Sequence, residues 1–145
     1  MRPADLVVLL LLAACACASA TCLRPKRSVG SEFRSTAIVA TGMVTSAHDV
    51  SAPDDPEGID HTIYRVELTR VFKGGPRRHL ELFSENTTSR FTMDRGVPFL
   101  LFITRGKEGW FVDNCGWSGR LDDRTTIATL GRVEALVRRD GARQD

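Results

Sequence analysis

The sequence predicts a mainly β domain: a small five-stranded Greek-key barrel with a short helix before it and an amphipathic helix after it. Three observations predict this. Short apolar or alternating runs recur between Gly- and Pro-rich turns, a glycine sits inside the first long run where a barrel strand must bend, and only two stretches carry helical spacing. The densest run, VPFLLFI at residues 97–103, is too short for a membrane span and suits a pleated surface, so it reads as a buried strand. Gly106 and Gly109 punctuate a turn. Trp110, Phe111 and Val112 then return as a second strand and deliver Cys115 into a Gly-flanked loop.

Taken in order, residues 1–20 read as an export signal: Arg2 in a short leading region, an apolar run from Leu6 to Leu12, and Ala18-Ser19-Ala20 at the end. The apolar run is about half of the roughly 20 residues a spanning helix needs. Leu12-Ala13-Ala14-Cys15 also resembles a lipobox, in which Cys15 would be lipidated and tether the chain to a membrane. The two cuts leave different cysteines. Cleavage after Ala20 leaves residues 21–145 with Cys22 and Cys115, an even count that makes one disulfide in an oxidising compartment; cleavage before Cys15 leaves Cys17 without an obvious partner. The first cut is preferred, and it gives an exported single domain, extracellular or periplasmic. Arg2 and Asp5 leave together, so the net charge stays at +2 and nominates no partner by itself.

Val29 and Phe33, four apart behind Ser28, predict a short capped helix. TAIVATGMVTSA at residues 36–47 is the first strand, bent at Gly42. Residues 49–60 (DVSAPDDPEGID) read as a loop. Their carboxylates lack the alternating register of a calcium loop, so a solvated connector is expected, with no metal. HTIYRVELTRVF at residues 61–72 alternates, with Tyr64, Val66 and Leu68 facing the core. After the turn Lys73-Gly74-Gly75-Pro76, residues 78–84 return with Leu80 and Leu82 inward. Arg70, Lys73, Arg77, Arg78 and His79 cluster at this turn. Without interleaved aromatics they read as a solubilising loop, and no nucleic-acid partner is expected. Phe91 and Met93 are expected to pack down onto the barrel from a polar connection that also holds the sequon Asn86-Thr87-Thr88. In residues 125–139, Ile127, Leu130, Val133 and Val137 predict the apolar stripe of a helix packed on the barrel.

An enzyme is not expected, nor a cofactor. His48, His61 and His79 are not at metal-ligand spacing with one another or with Cys. Gly116-Trp117-Ser118-Gly119 superficially resembles a nucleophile motif but lacks its strand-to-helix setting.

Five short strands with a bent first strand point to the oligonucleotide/oligosaccharide-binding (OB) barrel. Several motifs then carry a family resemblance: Cys22, the Phe33 helix, Ile38-Val39-x-x-Gly42-x-Val44, Tyr64-x-Val66 leading to Val71-Phe72-Lys73-Gly74, Gly96-x-x-Phe99-Leu100-Leu101-Phe102, and Asn114-Cys115-Gly116-x-Ser118. In order and spacing the chain resembles the netrin-like domain, and within it bacterial proteins similar to the inhibitory domain of tissue inhibitors of metalloproteinases. The resemblance covers nearly all of residues 21–145. It implies a Cys22 to Cys115 disulfide and a protein partner, with a metalloendopeptidase as the suggested class. It places the partner-binding ridge at Thr21, Cys22 and Leu23 with Asn114, Gly116, Trp117 and Ser118. The animal inhibitors chelate zinc through the free amine of a terminal Cys, whereas here Thr21 precedes Cys22, which argues against chelation. The competing readings are a barrel that binds an oligosaccharide or other envelope polymer through exposed aromatics, with Tyr64, Trp110 and Trp117 as candidates, and a structural envelope lipoprotein anchored at Cys15.

Overall fold

The computed structural model describes Cys22, residues 25–88 and residues 90–142. The expected signal at residues 1–20, the Cys15 lipidation site, Thr21 and Leu23 lie outside the described residues.

The order of elements is α1 (Val29–Ser35), β1 (Ile38–Ala52), β2 (Asp55–Lys73), β3 (His79–Glu85), β4 (Pro98–Arg105), β5 (Trp110–Val112), β6 (Gly119–Arg120) and α2 (Arg124–Gly141). The first five strands close into a mixed barrel of the OB type. Neighbours run β1-β2-β3-β5-β4, and the antiparallel ladder from Ile38↔Ile103 to Met43↔Pro98 joins β4 back to β1. β3 and β5 run parallel and pair only at Leu82↔Trp110, which makes this the thinnest seam of the wall. The two hairpins expected from the sequence, β2–β3 and β4–β5, are both present. β6 extends β4 by two pairs and was not foreseen.

Alternation along the strands splits the apolar residues into two layers. Ile38, Ala40, Val44, Tyr64, Val66, Leu82, Phe99, Leu101 and Ile103 fill the barrel, while Val39, Leu100 and Phe102 point outward beneath the helices with Val29, Phe33 and Val133. Both faces of β4 are therefore covered, which is why its sequence is continuously apolar. Met93 is buried in the barrel layer, and Phe91 meets Phe99 edge-on at 6.0 Å. At Gly42 the β1–β2 register shifts, and a Cβ there would lie 2.9 Å from the Glu67 carbonyl oxygen, so the bend depends on glycine.

Two expectations are corrected. Residues 49–60 are largely strand: β1 runs to Ala52 and β2 starts at Asp55, and the pair forms an arm whose side chains are mostly exposed. Composition indicates the exposure, but the backbone is satisfied by cross-strand pairs such as Asp49↔Thr62 and Val50↔His61. The Thr62 hydroxyl adds a 2.7 Å bond to Asp49. The second correction concerns α2. Ile127 is 53% exposed, while Thr126, Thr129 and Val133 are buried. Leu130, Val133 and Val137 pack beneath the helix as expected, and only Ile127 lies outside, its expected place on the packed face taken by threonines: Thr129 donates to the Thr125 carbonyl at 2.9 Å. Hydroxyls satisfied in this way can take core positions that hydropathy assigns to isoleucine.

Candidate functional site

The site begins with the disulfide. Cys22 and Cys115 are bonded with their Cα atoms 5.8 Å apart, joining the segment before α1 to the loop after β5. That loop is shaped by Asp113, whose side chain accepts from the Cys115 amide at 2.8 Å and whose carbonyl accepts from Gly116 at 3.1 Å. α1 begins at Ser28, whose hydroxyl accepts from the Ser31 amide, and buries Val29 and Phe33. One turn in, Glu32 projects toward the loop.

Glu32 is the residue that sequence reasoning missed. Its carboxylate accepts from the Trp117 amide at 3.0 Å. A Cβ at position 116 would collide with that carboxylate, so Gly116 is what lets it enter. Burial raises the Glu32 pKa above the ordinary glutamate value; the Trp117 amide opposes this, Asp113 adds to it, and Lys26 and Arg27 offset part of it. In the sequence Glu32 looks only like a first-turn acid that favours the helix dipole. No local signal could have linked it to Trp117, 85 residues later.

Trp117 is half-buried and packs against the layer beneath the helices. Its indole N–H donates to the Arg27 carbonyl at 2.6 Å, and the Lys26 ammonium sits 3.8 Å from the ring centroid. Ser118 turns the other way, and its hydroxyl accepts from the Phe102 amide at 2.8 Å, fastening the loop to β4. Of the expected ridge, Cys22, Gly116 and Trp117 are thus brought together with Lys26, Arg27 and Glu32. Asn114 is exposed at the loop tip, and Ser118 is a fold contact. A recess of about 260 Å³ opens beside the disulfide between Lys26, Glu32, Thr104, Phe111 and Asp113.

The opposite end of α1 explains the Val71-Phe72-Lys73-Gly74 run. Val71 leans on the barrel interior and Phe72 on the helix layer. Lys73 Nζ donates to the carbonyls of Phe33, Arg34 and Thr36 at 2.8, 2.7 and 2.6 Å, capping the C-terminus of α1. Burial lowers the Lys73 pKa, yet three carbonyls on one nitrogen favour the ammonium form. Gly74 has φ +101°, and a Cβ there would lie 2.7 Å from the Ala37 carbonyl oxygen.

The remaining cations of the turn sort themselves by partner. Arg70 pairs with Glu134 and Arg78 with Glu67, so most of the basic cluster is engaged in the fold. Tyr64, a candidate surface aromatic, is instead core at 7% exposure, because its strand parity faces the barrel interior. Elsewhere, the half-buried phenylalanines Phe83, Phe91 and Phe111 line a groove of about 410 Å³ where β3 and β5 part, with Glu85, Arg90 and Lys107 around it. Among the described residues no three His, Cys, Asp or Glu side chains converge as a metal site.

In comparison with known proteins, the chain matches no family model and no curated sequence.

Proposed function

We propose that the chain is an exported, non-enzymatic module of the netrin-like kind that binds a protein partner through the ridge around Cys22 and the 113–118 loop. The observation that supports this is the triple fastening of the ridge: the Cys22–Cys115 bond, the Glu32 carboxylate on the Trp117 amide, and the Trp117 indole on the Arg27 carbonyl. A surface held in one shape by covalent and polar links binds with little ordering cost. The partner class that the resemblance suggests is a zinc metalloendopeptidase. With Thr21 ahead of Cys22, contact through the surface and not chelation by a terminal amine is the proposed mode. Membrane attachment enters only if Cys15 is lipidated.

The test is binding to a panel of secreted zinc metalloendopeptidases, using the exported protein with its terminal amine free and acetylated. Binding by at least one protease, unchanged by acetylation and weakened about tenfold or more by Asn114→Arg at the exposed tip, is the expected result. Binding lost on acetylation would overturn the surface mode. An empty panel would overturn the protease class.

A second reading, saccharide binding by the barrel wall, is favoured by the Phe83, Phe91 and Phe111 groove. It predicts that Phe83→Ala abolishes retention on an immobilised envelope polysaccharide while leaving protease binding intact.

A further inference from the structure

In the sequence, the basic turn after β2 has no aromatic interleaved with it and reads as a solvated loop. The fold supplies one from elsewhere. Trp110, at the start of β5, lies beside both Arg77, from the β2–β3 turn, and Arg105, from the end of β4; the guanidinium carbons are 5.6 and 4.8 Å from the indole centroid. The indole packs on the barrel interior and closes the end of the barrel where these turns meet.

The two cations differ from their neighbours. Arg70 and Arg78 are each paired with a glutamate, whereas among the described residues neither Arg77 nor Arg105 meets a carboxylate. Arg77 donates one N–H to the Gly74 carbonyl at 3.0 Å, and its Nε is shut from solvent without an acceptor. The indole N–H of Trp110 likewise has no acceptor among the described residues. The enclosed Nε of Arg77 takes no part, but two guanidiniums that no carboxylate neutralises and a free indole N–H, gathered around one aromatic ring, present positive charge and donors to a ligand.

We propose that Arg77, Trp110 and Arg105 form a binding site for the carboxylate or sulfate group of an acidic saccharide. The guanidiniums hold the anionic oxygens, and the indole edge supplies a ring contact and an N–H for a hydroxyl. A polynucleotide track would need successive aromatic platforms, and this cluster has one ring. The site is separate from the Cys22 ridge. It deepens the saccharide reading, which counts Trp110 among its candidate aromatics, at a place apart from the phenylalanine groove, and the variants below do not touch the groove.

The test follows the two indole N–H signals by NMR, assigned with Trp110→Phe, during titration at fixed ionic strength. The probes are a sulfated disaccharide, its unsulfated parent, sodium sulfate and a short oligothymidylate. The sulfated disaccharide should shift the Trp110 signal and leave the Trp117 signal in place. Its affinity should exceed that of the parent and of free sulfate by about tenfold or more, and the paired Arg77→Gln and Arg105→Gln changes should lower it by about tenfold to a hundredfold. The paired Arg→Lys variant, which keeps the charge, should bind between the two. Equal binding of the unsulfated parent, equal binding of sulfate alone, tighter binding of the oligothymidylate, or no loss in the Gln variant with its other signals unmoved would each overturn the proposal.

Discussion

The two ends of α1 are held by different means. At its start, a covalent bond and the Trp117 indole N–H tie the leading segment to the 113–118 loop, and the Trp117 amide donates to Glu32 one turn into the helix. After it, one ammonium group, Lys73 Nζ, gathers three carbonyls at the helix terminus. The first attachment spans most of the chain and constrains the unfolded state, while the second acts only in the folded one. Both leave α1 seated over Val39, Leu100 and Phe102, so the outer face of the barrel is a second core and not a solvated wall.

The largest effect should come from removing the longer link. The bond closes a loop across a sequence separation of 93. In the chain-entropy model, replacing both Cys22 and Cys115 by Ala should cost about 4 to 5 kcal/mol, measured by urea unfolding with the wild type kept oxidised. Lys73→Met is the matching cut at the other end, and should cost about 2 to 3 kcal/mol because the carbonyls lose a charged donor. Lys73→Arg should recover only part of this, since a planar fork cannot reproduce three bonds from one nitrogen. A loss of under half a kcal/mol for Lys73→Met would mean that water replaces the ammonium and the cap is incidental.

These two anchors were unequally legible in the sequence. The Cys22–Cys115 pair was readable from an even cysteine count, and the barrel from alternation at Tyr64, Val66 and Leu68 with the bend at Gly42. Lys73 reads as a turn cation and a motif position without a partner, and Glu32 as a first-turn acid, because the partners of Lys73 lie 37 to 40 residues away and that of Glu32 lies 85 away, in contacts that no local period encodes. The arm at residues 49–60 was hidden for a different reason. Acidic, Pro-containing composition reports exposure, and an exposed hairpin is exposed too. On α2 the sequence pattern places Leu130, Val133 and Val137 correctly and fails at Ile127, which is left outside where threonine hydroxyls bond locally.

That last correction gives a medium-sized prediction and its control. Val133, fully buried against the α1 layer, should cost about 2 kcal/mol when cut to Ala, whereas Ile127→Lys should stay within about 0.5 kcal/mol of the wild type by thermal or urea unfolding. A larger loss at Ile127 would put this residue back on the packed face with the rest of the stripe.

The smallest effect concerns pH at the Glu32 end. Its pKa is raised in the folded state, so between the ordinary glutamate value and the raised one the folded chain holds more proton than the unfolded chain. This group's contribution is therefore largest at low pH and declines as pH rises through that window. Glu32→Gln keeps an acceptor for the Trp117 amide and removes the titration. The difference in stability between wild type and Glu32→Gln should then shift in favour of Gln as pH rises from about 4 toward neutrality. A difference that is flat with pH, or one that moves in favour of Glu, would contradict the burial of this carboxylate.

In the reading we propose, the domain is exported, and one bond between its leading segment and the loop after β5 closes it. Intact mass of the protein purified from its own host, with and without reduction, tests this most directly. The predicted result is a mass matching residues 21–145 that gains two hydrogens on reduction. An uncut chain with free thiols would contradict both export and the staple, and a mass beginning at Cys15 with acyl chains would replace the soluble module with a membrane-tethered one.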